Sequence, residues 1–354
     1  MTLPSSGPLS ISQIASELGV SSNTSLRSLS SLASKSAPDS FSEFYGYTKP
    51  SLGAGYIAGG ATTTGNNDTT AVDKISYSTG VWSANGSSLA SGRIHPGCVS
   101  DGSSYGYIAG GYNLGAVGTS SIERITFSTS TFAANTAGTL SDNRYGCQGL
   151  SDRSSYGYFC LGYNYQPSTN AYTTKVDKIT FSTSAVSAGT AGSVNRRYQA
   201  SINGTSYGYL CAGHSGTAYI SAVHNFSYST GTMSTGGNVY GAVIMGGGLS
   251  NGSTYGYFCG GYNGTTYYAT TSRIQFSTNT VSTYSTSNLT STRARTFYGV
   301  SDATYGYIGG GMSNSSTLVT TSDRMTFSTE VFAANPYSMT SAHQMPGGLS
   351  STGF

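Results

Sequence analysis

The chain has 354 residues with a net charge of +3, only 8% charged residues, 49 glycines and 29 tyrosines. Its Lys and Arg are scattered, with no run longer than the pair Arg196-Arg197, which argues against a nucleic-acid partner, because neutralising phosphates takes grouped cations. No apolar run approaches the ~20 residues of a membrane span and no signal peptide is expected at the start, so membrane insertion is not predicted and the protein reads as soluble and made in the cytoplasm. Aromatic and β-branched residues can build a core despite the low charge, and the composition reads as all-β.

Residues 1–50 do not repeat and form a first domain, with 51–354 as the second. Ser10-Ile11-Ser12-Gln13 is a capping box, Ile11, Ile14, Ala15 and Leu18 make a helical stripe, and Gly19 is placed to end that helix. Leu26, Leu29, Leu32 and Ala33 predict a second short helix, and Ser40-Phe41-Ser42-Glu43 with Phe44, Tyr45 and Gly46 a third. Three such pieces hold too little core to be stable alone by much, so the segment is expected to dock on a partner.

From Gly53 the chain repeats. The second Tyr of a YGYxxGG motif falls at Tyr56, Tyr107, Tyr158, Tyr209, Tyr257 and Tyr307, at intervals of 51, 51, 51, 48 and 50. A second signature, DKISYST at Asp73 and its copies at Glu123, Asp177, His224, Ser272 and Asp323, keeps the same step. Five residues after its aromatic stands an apolar residue in every copy: Trp82, Phe132, Val186, Met233, Val281 and Phe332. Each unit reads as a four-stranded meander, with strands a, b, c and d in chain order. Asp101-Gly102, Asn203-Gly204 and Asn251-Gly252 predict two-residue a–b hairpins with positive φ. The strand c charges (Asp73-Lys74, Glu123-Arg124, Asp177-Lys178, Asp323-Arg324) are expected on the outer half of each sheet, where they discourage edge pairing. Gly60, Gly111, Gly162, Gly213, Gly261 and Gly311 recur in one place, which predicts a turn or close approach that no Cβ allows.

The five cysteines fall at two repeat positions, Cys160, Cys211 and Cys259 at one and Cys98 and Cys147 at the other, and read as small buried residues rather than a disulfide framework. Ser341 to Phe354 matches the strand a segment and stops where the next strand b would begin. The last strand should therefore pair with Gly55–Gly60 and complete the first sheet. The spacing, the paired glycines and the apolar residue after the strand c turn resemble kelch repeats over about 300 residues, apart from Leu161 and Ala212 in place of the first Gly and a single Trp. The resemblance implies a six-bladed kelch-like β-propeller closed by the C-terminal strand, behind a small helical N-terminal anchor.

The opening MTLPSSGPLSISQIASELG and the following SLRSLSSLASKSAPDSFSEFYG resemble the N-terminal segment of tailed-bacteriophage structural proteins, particularly tail and fibre components. That resemblance implies a virion protein, present in multiple copies, whose first 46 residues fasten it to other virion proteins.

Carboxylates are too few and too irregular for a glycosidase pair, and the four histidines (His95, His214, His224, His343) fall at different repeat positions, so neither a catalytic nor a metal site is predicted, and no cofactor. The b–c loops vary in length: Tyr56 to Tyr77, Tyr107 to Phe127, Tyr158 to Phe181, Tyr209 to Tyr228, Tyr257 to Phe276 and Tyr307 to Phe327 span 21, 20, 23, 19, 19 and 20 residues. They carry Tyr112, Asn113, Tyr163, Asn164, Tyr165, Tyr172, His214, Tyr219, Tyr262, Asn263, Tyr267 and Tyr268, a mixture suited to sugars and equally to simple turns. Arg93, Arg144, Arg196 and Arg293 are expected near the channel entrance, either as a ring for an anionic glycan or holding backbone carbonyls across blades. The function expected is host-surface attachment through a glycan or protein receptor. Capsid or tail decoration without receptor binding stands as the alternative, and a carbohydrate-active enzyme behind both.

Overall fold

Alternating apolar residues and recurrent turn signals set the architecture of most of the chain: antiparallel strands in short meanders. The computed structural model describes residues 3–18, 21–33, 35, 39–45, 53–64, 67–113, 117–166, 169–284, 286–296 and 298–352. Two compact units divide the chain, Met1–Leu52 and Gly53–Phe354.

The first unit contains helices α1 (Ile11–Leu18) and α2 (Leu26–Leu32) and a 3-10 turn, Phe41–Phe44. Ser10 caps α1 reciprocally: its Oγ accepts the Gln13 N–H at 3.2 Å while Gln13 Oε1 accepts the Ser10 N–H at 2.8 Å. Ile14, Ala15, Leu29 and Phe44 are buried together with Leu3, and Leu9, Ile11, Leu26 and Ala33 pack against them. Phe41 and Tyr45 are exposed. Tyr45 donates its hydroxyl to the Gly7 carbonyl at 2.7 Å. The side chains of Leu18 and Leu32, and all of Gly19 and Gly46, lie outside the described residues.

The second unit is all-β. Sheet 1 joins Gly347–Ser350, Ala54–Ala58, Val72–Ser76 and Trp82–Ala84 as strands a to d. Sheet 2 comprises Gly97–Ser100, Tyr105–Ala109, Ile122–Thr126 and Thr131–Ala134, and sheet 3 Gln148–Ser151, Tyr156–Cys160, Val176–Thr180 and Ala185–Ala188. Sheet 4 comprises Ala200–Asn203, Tyr207–Cys211, Ala222–Ser227 and Met233–Asn238, and sheet 5 Gly247–Ser250, Tyr255–Tyr262, Tyr267–Gln275 and Thr280–Tyr284. Sheet 6 comprises Val300–Ser301, Tyr305–Gly309, Ser322–Thr326 and Val331–Ala334. A small three-stranded sheet of Arg144–Tyr145, Tyr163–Gln166 and Thr169–Tyr172 extends the loops of sheet 3.

The C-terminal strand pairs with the first strand of the unit as expected, Gly55 opposite Ser350, Tyr56 opposite Leu349 and Ala58 opposite Gly347. Strand b is buried on both faces, with Ile57, Ile108, Phe159, Leu210, Phe258 and Ile308 each fully covered. Each strand b Tyr stacks on the strand c aromatic of the next sheet: Tyr56 on Phe127, Tyr107 on Phe181, Tyr158 on Tyr228, Tyr209 on Phe276 and Tyr257 on Phe327, with centroids 5.5 to 6.1 Å apart. Tyr307 of sheet 6 stacks on Tyr77 of sheet 1 at 6.0 Å, so the series returns to its start. Offset-stacked rings add about 0.5–1.5 kcal/mol each beyond the area they bury.

Strand a ends in Ser100, Ser151, Asn203, Ser250, Ser301 and Ser350, and these residues join the sheets edge to edge. Ser100 donates to the Ser350 carbonyl at 2.7 Å, Ser151 to that of Ser100 at 2.7 Å, Ser250 to that of Asn203 at 2.5 Å and Ser301 to that of Ser250 at 2.9 Å. The Ser151 N–H donates to Asn203 Oδ1 at 3.0 Å and the Ser301 N–H to Ser350 Oγ at 3.2 Å, which fills the remaining two places.

The recurrent second glycine has a specific cause. The N–H groups of Gly60, Gly111, Gly162, Gly213, Gly261 and Gly311 donate to the carbonyls of Arg93, Arg144, Arg196, Val243, Arg293 and His343, each on the segment leading into the next sheet. Their φ values run from 82° to 116°, beyond the ordinary left-handed well. A Cβ on Gly60 would also meet the Gln344 carbonyl oxygen at 2.5 Å. At the preceding position φ is 59–69°, which Leu161 and Ala212 adopt at a strain cost of about 1–3 kcal/mol.

Three expectations are corrected. The a–b turns are not two-residue hairpins: Asp101 Oδ1 accepts the N–H groups of Ser103, Ser104 and Tyr105, and Asp152 and Asn251 organise four-residue loops in the same way. Gly102 and Gly252 have positive φ and Gly204 does not, because Asn203 turns its side chain to Ser151 and the Tyr228 hydroxyl instead. Cys98 and Cys147 are not equivalent, since Cys98 lies opposite Ile108 while Gly149 lies opposite Phe159, its counterpart. All five thiols are nevertheless buried and free. The strand c acids are not on an outer surface either: Asp73, Glu123, Asp177 and Asp323 are buried, because alternation turns them inward while Lys74, Arg124, Lys178 and Arg324 face out.

Candidate functional site

The inward acids explain the recurrent arginines. Arg93 donates to the Gly110 and Ser121 carbonyls, both at 3.1 Å, and to Glu123 at 2.7 Å. Arg144 reaches the Phe159 carbonyl at 3.0 Å and Asp177 at 2.6 Å, and Arg293 the Gly310 and Thr321 carbonyls and Asp323. Arg196 holds the Leu210 and Ala222 carbonyls and meets His224 Nδ1 at 2.8 Å where its sisters meet a carboxylate. In sheet 1 the same place is taken by His343, 3.1 Å from Asp73. Each side chain thus ties the entry segment to strands b and c of its own sheet. All four arginines are at most 1% exposed, which corrects the expectation of a basic ring at a channel entrance and of carbonyls held across blades.

The first strands of sheets 1 to 5, together with Tyr298 and Gly299 just before that of sheet 6, line one narrow cavity of about 40 Å³. Tyr298, where the sister strands carry Gly97, Gln148, Ala200, Gly247 and Gly347, fills it from one side: its hydroxyl accepts the Cys98 N–H at 2.9 Å and the Gly149 N–H at 3.2 Å.

The b–c and d–a loops share one end of these sheets, joined by short bridges such as Ile94–Tyr112, Arg197–His214, Ile244–Tyr262 and Ala294–Met312. The d–a loops meet there through His95, Gly146, Tyr198, Met245, Arg295 and Met345, all at φ 55–64°. Their backbones are bonded head to tail: His95 N–H to the Met345 carbonyl, Gly146 to His95, Tyr198 to Gly146, Met245 to Tyr198, Arg295 to Met245 and Met345 to Arg295, at 2.6 to 3.3 Å. Five residue types, with Met twice, share one repeated backbone conformation at these six positions.

Around this ring the predicted loop residues separate into two groups. Tyr112, Tyr163, Tyr165, Tyr172, His214 and Tyr219 form a continuous run of ring contacts with Tyr145, Tyr198 and His95, which lie outside the b–c loops. At its centre the Arg197 guanidinium lies 4.6 to 5.8 Å from the ring centroids of Tyr145, Tyr163, Tyr172 and Tyr198 and donates to the Tyr145 hydroxyl at 2.6 Å. His214 Nδ1 accepts the Gly216 N–H, and burial followed by the Arg197 charge holds its pKa below the usual imidazole range. Ile94, His95, Tyr112, Tyr145, Tyr165 and Tyr198 enclose an open cavity of about 210 Å³.

The second group, in sheet 5, contains Tyr262 against Tyr267 at 4.7 Å and Tyr268 against Tyr240 at 5.5 Å. Asn263 is a turn residue here, its Oδ1 taking the Thr265 and Thr266 N–H groups and its amide donating to the Tyr268 hydroxyl. Asn164 lies in the small sheet opposite Arg144, and Asn113 follows Tyr112 in the sheet 2 loop.

Among the described residues, no group of three His, Cys, Asp or Glu could hold a metal ion. No helix among the described residues is long and apolar enough to cross a membrane. No protein-family model and no curated protein matches the chain.

Proposed function

We propose that this is a virion structural protein of a tailed bacteriophage, a tail fibre or receptor-binding component, whose β unit is a closed six-bladed kelch-like propeller that attaches to host-surface glycan. The propeller reading is supported by the stacking series that runs from Tyr56–Phe127 to Tyr307–Tyr77 and by the one cavity to which all six sheets contribute strand a residues or the residues just before them. The anchor reading rests on the resemblance of residues 1–46. A unit with five buried apolar side chains among its described residues, and with Phe41 and Tyr45 exposed, gains stability by docking on a larger body.

The observation that carries the binding reading is the loop end, where at least six tyrosines and one arginine cluster around an open cavity. Ring faces stack on sugar C–H groups and phenol hydroxyls bond sugar hydroxyls. Several weak contacts summed over many copies on one particle give useful avidity.

Two measurements test this together. Antibodies against the full chain should label the tail of the intact particle, and the full chain on a surface-glycan array should bind a restricted set of sugars, losing them when Tyr112 and Tyr165 become Ser. Label confined to the head, or an array blank at millimolar sugar, would overturn the receptor-binding reading.

A further inference from the structure

From the geometry of the loop end we propose, resting on the glycan reading above, that its specific ligand is an acidic sugar, a pyranose bearing a carboxylate, with the ring in the Tyr112–Tyr145–Tyr165–Tyr198 cavity and the carboxylate on Arg197 and Arg295.

The size of the cavity comes first. About 210 Å³ is smaller than the roughly 300–1,000 Å³ of pockets for drug-sized molecules and suits one sugar ring. Four of its six lining residues are tyrosines that remain partly exposed, so aromatic faces and hydroxyls are both on offer.

The charge balance decides the class. Arg93, Arg144 and Arg293 are each neutralised by a buried carboxylate. Arg197 and Arg295, both partly exposed, have no carboxylate partner among the described residues. Arg197 is held by tyrosines, and Arg295 donates to Gln344 Oε1 at 2.8 Å, with the Gln344 amide in turn on the Thr63 carbonyl. These contacts fix both guanidiniums without cancelling their charge. Arg197 shares Tyr145 and Tyr198 with the cavity wall, and Arg295 stands two places from His95 on the hydrogen-bonded ring. Burial, then the Arg295 charge, then that of Arg197 hold the His95 pKa well below the usual imidazole range, so the imidazole on the cavity wall stays neutral.

A neutral hexose would stack in the same place but leave both charges unused. A carboxylate meets a guanidinium through short, charge-assisted hydrogen bonds about twice as strong as neutral ones.

The test is calorimetric titration of the full chain with trigalacturonate and with sialyllactose, against the methyl ester of the first and lactose for the second. The acids should bind at least ~10-fold more tightly than their neutral counterparts, and raising salt from 50 to 300 mM should narrow the gap. Arg295→Gln and Arg197→Lys, with melting curves checked against the parent, should each reduce the preference of acid over ester and of sialyllactose over lactose. If acid and ester bind alike, the acidic-sugar proposal fails and the glycan reading survives. If the preference is unchanged in both variants, the assigned site is wrong. If no sugar binds, both readings fall together.

Discussion

Arg196 Nη2 lies 2.8 Å from His224 Nδ1, in the place where Arg93, Arg144 and Arg293 each meet a carboxylate. Guanidinium nitrogens only donate, so Nδ1 is the acceptor and the ring in the folded protein is neutral. Burial, followed by the Arg196 charge, lowers the His224 pKa to about 4, and burial lowers that of Arg196 to about 10.

A pH dependence follows, with its sign fixed. The unfolded His224 titrates near ~6.5, above its folded value, so between the two the unfolded chain binds the extra proton. Stability from this pair is complete above about pH 6.5 and falls on acidification toward pH 4, with a slope approaching ~1.4 kcal/mol per pH unit. His224→Asp supplies the carboxylate that the sister sheets use, and moves the loss below the unfolded carboxylate range near ~3.9. Urea melts from pH 4 to 8 should slope less steeply in the variant than in the parent, the remaining slope coming from His95 and His214; equal slopes would show that His224 does not contribute.

The buried pair in sheet 2 should be costly to break from one side. Arg93→Met removes the cation from Glu123, whose other oxygen accepts the Ala90 N–H at 2.7 Å, and strips donors from the Gly110 and Ser121 carbonyls. The expected loss is about 3–5 kcal/mol, the usual result of leaving one charge buried alone. Adding Glu123→Gln should recover part of it, since the amide no longer needs a counter-charge. Chemical denaturation of the parent, single and double variants measures this, and a double variant no better than the single would mean that the lost carbonyl contacts, rather than the stranded charge, dominate.

How much of this was legible in the sequence depended on whether a requirement recurs as a residue or only as a conformation. Gly60, Gly111 and their counterparts recur because every copy needs a φ that a Cβ resists, and the segment ending in Ser350 announced its pairing because it matches strand a. The loop-end ring left no such trace: His95, Gly146, Tyr198, Met245, Arg295 and Met345 share a φ near 60° but no side-chain chemistry. Arg197 was hidden by its neighbour Arg196, which carries the recurring structural role. Tyr145 and Tyr198 precede strand a, outside the b–c loops whose varying length marks them in the sequence. The inward acids are legible in the alternation: in Val72-Asp73-Lys74-Ile75, Asp73 turns to the same side as buried Ile75 and Lys74 to the other, and charge type alone points the wrong way because each acid is paired inside.

The last prediction concerns Tyr298, the one large side chain among five smaller counterparts at the inner ends of the sheets. Strand a is the inner edge of its sheet, so every second N–H points away from strand b and has no ladder partner. The Tyr298 hydroxyl accepts two of these, from Cys98 and Gly149, and thereby links sheet 6 to sheets 2 and 3. Tyr298→Phe preserves the ring and removes only the acceptor, leaving two buried donors unmet at a cost of about 1–3 kcal/mol. Hydrogen exchange should quicken at the Cys98 and Gly149 amides before it changes elsewhere, because the inner edges separate locally once the shared acceptor is gone. Unaltered protection at those two amides, together with an unaltered melting midpoint, would mean that the hydroxyl contributes nothing to holding the inner strands together.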